Sequence, residues 1–168
     1  FRGSSKYSNI INAFQRIKTI EKLKLRGIET VPISHKEYLK ELRSSMMSVS
    51  PFGYGEVCYR DFESILAGTL LLKPSMEHLQ TYPDFYVKDE TYVPFKWDFS
   101  DFDEKIDSLL ASLDRISKIC SQAQGKYNYF ISDGGMNEFC RRFKDMLGTD
   151  GQECLGKGGT VHTVQSKV

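Results

Sequence analysis

Apolar positions change their period several times along this chain, and each change marks an element. Between residues 7 and 26, Ile10, Phe14, Ile17 and Ile20 recur at helical spacing, with Lys and Arg on the opposite face. Gly27 ends that pattern, and Ile28 to Ile33 alternates as a short strand. Ser34 with Glu37 three residues on is a capping-box pair that opens a helix through Leu42, setting Tyr38, Leu39 and Leu42 to pack on a sheet. Met46 to Val49 and Thr69 to Leu72 are apolar, strand-like runs. Between them Phe62, Ile65 and Leu66 fall on one helical face, and Gly68 is placed to close that helix as a left-handed cap. Phe85-Tyr-Val and Tyr92-Val-Pro-Phe flank the polar turn Lys88-Asp-Glu. Ser100 is set to cap a long helix with Asp101, Asp103 and Glu104 in its first turn. Its apolar seam runs through Phe102, Ile106, Leu109, Leu113, Ile116, Cys120 and Ala123, and Gly125 interrupts it. Tyr127 to Ile131 reads as a short aromatic segment, and Met136, Phe139, Cys140 and Phe143 as a last amphipathic helix.

Strand and helix thus alternate from end to end. That order predicts an α/β, Rossmann-like domain over residues 1–147: a mostly parallel sheet with helices on both faces, right-handed crossovers and added C-terminal helices. From Gly148 to residue 168 the composition turns to Gly, Thr, Gln, Ser and Lys without any period, which reads as a disordered tail or linker. Gly156-Lys-Gly-Gly-Thr160 lacks the spacing and the preceding strand of a phosphate loop.

Composition narrows the classes. A chain of 168 residues is long enough for one domain that buries ~70% of its unfolded surface. With 23 basic and 22 acidic residues the formal charge is +1, so no global field points to nucleic acid or an acidic membrane. The basic run Lys18, Lys22, Lys24, Arg26 reads as a solvated helix face, with a nucleic-acid contact as the rival reading. No apolar run approaches the ~20 residues of a membrane span. The first residues, Phe1-Arg-Gly-Ser4, read as the tail of a strand and its turn, so the chain is expected to be a piece of a longer one. Cys58, Cys120, Cys140 and Cys154 form no C-x-x-C pair, which suggests neither a zinc site nor a disulfide scaffold and favours a reducing, cytoplasmic setting. Cys58 lacks a recognisable His partner and reads as a small semi-buried residue rather than a nucleophile. Trp97, the only tryptophan, reads as a core or interface anchor.

The candidate chemistry lies at residues 51–68. Gly53 and Gly55 sit in a loop between an apolar strand and a helix start, where unpaired N–H groups and the positive helix end favour an anion. The stretch G-Y-G-E-V-C lacks the third glycine of the dinucleotide fingerprint. Glu77 and His78 follow the next strand, at the end where open α/β sheets bind ligands; an exposed loop pair is the alternative.

This stretch resembles the donor-site motif in the C-terminal half of GT-B fold glycosyltransferases, of the group 1 type. Those proteins carry a strand, a loop with Gly-Phe-Gly or similar, and a helix reading about Glu-Ala-x-x-x-Gly before the next strand. Here Glu63-Ser-Ile-Leu-Ala-Gly68 matches the helix and Thr69 to Pro74 the strand. A second glutamate of the family falls on Gly55, with Glu56 as the nearest acid; Arg60 resembles a variant with arginine one turn before the helix glutamate.

The resemblance covers residues 1–147 and implies the donor-binding half of a glycosyltransferase for glycan or glycoconjugate synthesis. The donor is a UDP- or GDP-linked sugar as substrate, with no other cofactor. Glu63 would take the ribose hydroxyls, and Gly53, Tyr54, Gly55 and Glu56 the sugar and diphosphate. Arg60 and Arg2 would offset leaving-group charge, and His78 would touch the sugar. No Asp-x-Asp metal motif is present, and the implied chemistry is metal-independent. The sugar acceptor, and the acceptor-binding domain needed for activity, would lie upstream in the same chain. The setting would be the cytoplasm, including the cytoplasmic face of a membrane. Two alternatives stand beside this: a non-catalytic α/β nucleotide-binding module, and a docking domain that uses its aromatic C-terminal helices.

Overall fold

The computed structural model describes residues 1–4, 6 and 9–148. Among them six helices and three strands follow one another as α1 (Ile10–Leu25), α2 (His35–Arg43), β1 (Met47–Val49), α3 (Tyr59–Ala67), β2 (Leu70–Pro74), β3 (Val93–Phe95), α4 (Phe102–Leu110), α5 (Leu113–Phe130) and α6 (Asp133–Met146). The fold is α/β. Its sheet is small and wholly parallel, in the order β1-β2-β3, with Met47 beside Leu70 and Leu72 beside Val93.

Buried parallel strands are apolar on both faces, and β2 shows it, with all five of its residues buried. One face carries Val49, Leu70, Leu72, Val93 and Phe95 into a core with Leu23 of α1, Phe102, Ile106 and Leu109 of α4, and Ile116 and Ile119 of α5. The opposite face carries Leu71, which clusters with Phe52, Met76 and Tyr92, and Lys73, which meets Asp61 of α3.

Local signals explain several element ends. Ser34 accepts the Glu37 N–H and Glu37 accepts the Ser34 N–H, so both halves of the capping box are made. Ser34→Ala should therefore cost about 1 kcal/mol of unfolding free energy, read as a lower urea midpoint; an unchanged midpoint would mean the cap contributes nothing. Gly68 ends α3 at φ +69°, where a β-carbon would be strained. Gly135 permits the tight α5–α6 turn, because a β-carbon there would stand 2.5 Å from the Phe130 Cα and the Tyr129 carbonyl oxygen.

Six expectations need correction. Ile28 to Ile33 forms no strand: Val31 is 59% exposed, and Gly3 N–H to the Thr30 carbonyl is the backbone bond this stretch makes with the N-terminal residues. Pro32 has no N–H to give a ladder, and Phe1 to Ser4 is likewise irregular. The long seam is two helices, since the chain turns at Ala111–Ser112 and leaves Leu113 exposed; Asp101, not Ser100, is the N-cap of α4. Gly125 does not interrupt α5, which runs on through the aromatic segment to Phe130. Leu66 is exposed rather than on the buried face of α3.

The basic face of α1 is tied down. Lys22 binds Asp103 at 2.6 Å, and Arg26 bonds Asp103 and Asp107, clipping α1 to α4. Met136, Phe139 and Phe143 of α6 are exposed, as is Met146. Of the expected tail only Gly148 is described; residues 149–168 lie outside the described residues. No helix among the described residues is long and apolar enough to cross a membrane.

Candidate functional site

In a parallel sheet the loops after each strand gather at one edge, and ligands of open α/β folds bind there. Here those loops are residues 50–58 after β1, 75–80 after β2 and 96–101 after β3. The first half of α3 and the start of α2 stand beside them, because α3 begins where the first of these loops ends.

The glycine loop lines an open groove of about 510 Å³, together with Val57, Cys58, Tyr59, Phe62 and, from α1, Arg16. Gly53, Tyr54 and Gly55 all face it. The loop tip is held by a bond from the Gly53 N–H to the Gly55 carbonyl at 3.2 Å. Cys58 is the N-cap of α3, and burial pushes its thiol up, so it stays a protonated thiol rather than a nucleophile.

Glu56 and His78 meet across the edge, Oε2 to Nε2 at 2.9 Å. His78 stands edge-on to Trp97 with ring centroids 5.0 Å apart, and Trp97 in turn contacts Phe52 at 5.6 Å. Trp97 is half-exposed, so of the core and interface readings the core one does not hold; its indole N–H donates to the Ser75 carbonyl at 2.9 Å. Glu77 turns away, within 3.7 Å of Lys88.

Glu63 and Arg60 lie one turn apart on α3 but do not pair with each other in the hydrogen bonds they make. Glu63 Oε1 lies 3.3 Å from Nε2 of His35, on the exposed first turn of α2. Arg60 Nη2 donates to the Arg2 carbonyl at 2.9 Å, and its guanidinium covers the Phe1 ring at 4.6 Å and the Tyr38 ring at 5.7 Å. Arg2 is engaged by Glu41 of α2, Nε to both carboxylate oxygens at 3.0 Å. The Arg60 Nε here is buried with no hydrogen-bond partner, and the Tyr38 hydroxyl sits within hydrogen-bonding reach of the Arg60 and Glu63 side chains. Burial pushes the Tyr38 hydroxyl up, opposed by Arg60 and reinforced by Glu63, which places both charges beside it. Unpartnered buried polar groups are costly and rare in native folds. An acceptor that reached the Arg60 Nε–H would satisfy it.

No family model matches the chain, and no curated protein matches it.

The structure thus brings the predicted residues into three neighbouring groups rather than one ring. The glycine loop opens on the groove, Glu56 joins His78, and Glu63 with Arg60 flanks Tyr38. Among the described residues, no three His, Cys, Asp or Glu side chains are placed to hold a metal ion.

Beneath the loop lies a group the sequence reading passed over. Lys73 and Asp61 are 0% and 1% exposed and paired at 3.1 Å, Nζ to Oδ2. The Tyr86 hydroxyl donates to the same Oδ2 at 2.7 Å. Burial, with Asp61 adding, pushes the Tyr86 phenol far up, so it remains a donor. The available signal was a lone lysine closing the run Leu70-Leu-Leu in a strand buried on both faces. A cation there needs a buried anion, and Asp61 in the first turn of the adjoining crossover helix supplies it.

Proposed function

We propose that this chain is the donor-binding part of a GT-B glycosyltransferase of the group 1 type, with a Rossmann-like domain that takes a UDP- or GDP-linked sugar. What carries the reading is the cluster of Glu63, Arg60 and Tyr38 where α2 packs on α3, with the Arg60 Nε buried and unpartnered within it. Ribose hydroxyls both donate and accept, so they fit a site with a carboxylate, a guanidinium and a phenol. Gly53, Tyr54 and Gly55 line the groove and suit the sugar and diphosphate, since glycine lets backbone approach a ligand closely.

In this reading Glu63 orients the nucleoside, and Arg60 stabilises negative charge that grows on the diphosphate as the glycosidic bond breaks. Glu56 and His78 contact the sugar as a pair. Acceptor binding falls to an upstream domain, which the exposed apolar face of α6 would help to brace. A non-catalytic nucleotide-binding module is the second reading, favoured by Gly55 at the position where the family often has glutamate.

Titration calorimetry of UDP, GDP and their sugar conjugates tests this. Glu63→Ala is expected to weaken nucleotide binding about tenfold or more, the scale of a hydrogen bond to a charged group. Equal affinity in the variant would remove Glu63 from the site. No nucleotide binding to the folded protein would instead support a docking domain. Binding without turnover, once an acceptor domain is joined, would support the non-catalytic module.

A further inference from the structure

The buried Asp61–Lys73 pair touches the glycine loop at three places. Lys73 Nζ donates to the Ser50 carbonyl at 3.4 Å, where the loop leaves β1. The same ammonium stands 5.1 Å from the Phe52 ring centre, a cation–π contact within the loop. Asp61 Oδ2 accepts the Cys58 N–H at 3.0 Å, where the loop enters α3. Tyr86, from the segment before β3, completes the set through Asp61 and adds a second ring at 6.0 Å from the ammonium. Both stems of the loop are therefore fixed to one buried charge pair, while its tip, Gly53 to Val57, stays at the surface.

Stability alone does not account for such a pair. Taking two charges out of water offsets most of their attraction, and apolar residues of similar volume often serve as well or better. A charged pair does hold backbone groups in one geometry, because its remaining bonding positions must be filled by particular partners.

We propose that Asp61, Lys73 and Tyr86 are positioning residues that hold the loop 51–58 in its ligand-binding shape. The proposal rests on the donor-site reading for the ligand, but not for the loop. In the triple variant D61L/K73M/Y86F the buried ion pair becomes apolar and the partly buried Tyr86 loses its hydroxyl, so no buried charge is left alone. The variant is expected to keep a urea midpoint close to that of the parent. The amides of residues 53–58 should exchange hydrogen at least tenfold faster, with those of β2 unchanged, and affinity for UDP or GDP should fall tenfold or more. A purely structural role would leave loop exchange and affinity at parent values in a stable variant, and that result overturns the proposal. Faster exchange with unchanged affinity overturns it too, since the held shape would then not matter to the ligand. If the parent binds neither UDP nor GDP, the donor reading fails, and loop exchange alone decides whether the three residues hold the loop. Should the triple variant not fold, Tyr86→Phe retains the ion pair and is expected to speed exchange at Cys58 about threefold; parent exchange there would count against the proposal.

Discussion

Lys73→Met is expected to remove about 3–5 kcal/mol of unfolding free energy, the cost of breaking a buried ion pair by deleting one member. Methionine fills most of the lysine volume and keeps the apolar stem, so little of that loss comes from packing. It comes from Asp61, whose carboxylate is 1% exposed and would keep only the Tyr86 hydroxyl and the Cys58 N–H as partners. Domains of this size hold about 5–15 kcal/mol in total, so the variant should unfold at a much lower urea concentration. Removing both charges behaves differently. In D61L/K73M neither charge is stranded, and the two substitutions together should cost less than Lys73→Met alone. That non-additivity is the mark of direct coupling. A Lys73→Met loss below about 1 kcal/mol would mean that Asp61 is solvated in some way its burial does not show.

The same pair shows where sequence reading stops. Period, caps and turn residues are local, and they located α1, α2, α3, the strand runs at Met46 to Val49 and Thr69 to Leu72, and the closing role of Gly68. Ser34 and Glu37 are three residues apart and could be read as a pair; Asp61 and Lys73 are joined only once a helix has crossed back onto its sheet. An alternating pattern is also not sufficient for a strand. Ile28 to Ile33 alternates, yet Pro32 removes a donor and Val31 turns to solvent, so no ladder forms. Conversely, the seam from Phe102 to Ala123 keeps helical spacing straight through a break. Ser112 leaves helical geometry at φ −141°, ψ 76°, and Ile116 still reaches the core, because a short turn between two helices barely disturbs the spacing.

The candidate site was legible as a list and not as an arrangement. Gly53, Gly55 and the helix start follow from composition and order alone. The partners do not: Glu63 meets His35, Arg60 meets Phe1 and Tyr38, and Glu56 meets His78, each across a turn of the fold. An i,i+3 pair between Arg60 and Glu63 was the simple local alternative. Their observed hydrogen bonds go to other elements, because α2 and the N-terminal residues pack against that face of α3 and offer them a carbonyl, two rings and an imidazole.

Phe102→Ala should cost about 3–5 kcal/mol, as truncating a fully buried phenylalanine does when its surroundings cannot collapse. Phe102 is 0% exposed and opens α4 against the sheet. Its ring stands edge-on to Phe95 of β3 at 5.1 Å and tilted to Phe99 at 5.5 Å, while Phe95 and Phe99 are 4.9 Å apart. Three aromatic rings in mutual contact give one another about 0.5–1.5 kcal/mol per pair beyond burial. Collapse is restricted on each side. Phe95 is fixed in the parallel ladder, and Phe99 holds the left-handed φ of +62° in the turn between β3 and α4. A residue of that kind stays there only while its surroundings enforce it, so removing Phe102 should also loosen the loop that carries Trp97 beside His78. Phe102→Leu restores most of the volume and should recover more than half of the loss. Urea denaturation of both variants, with hydrogen exchange at residues 96–101, measures the two effects. A loss under about 1 kcal/mol in Phe102→Ala would mean that α4 repacks, and parent exchange at 96–101 would mean that the Trp97 loop is held from the β2 side instead, through the Ser75 carbonyl.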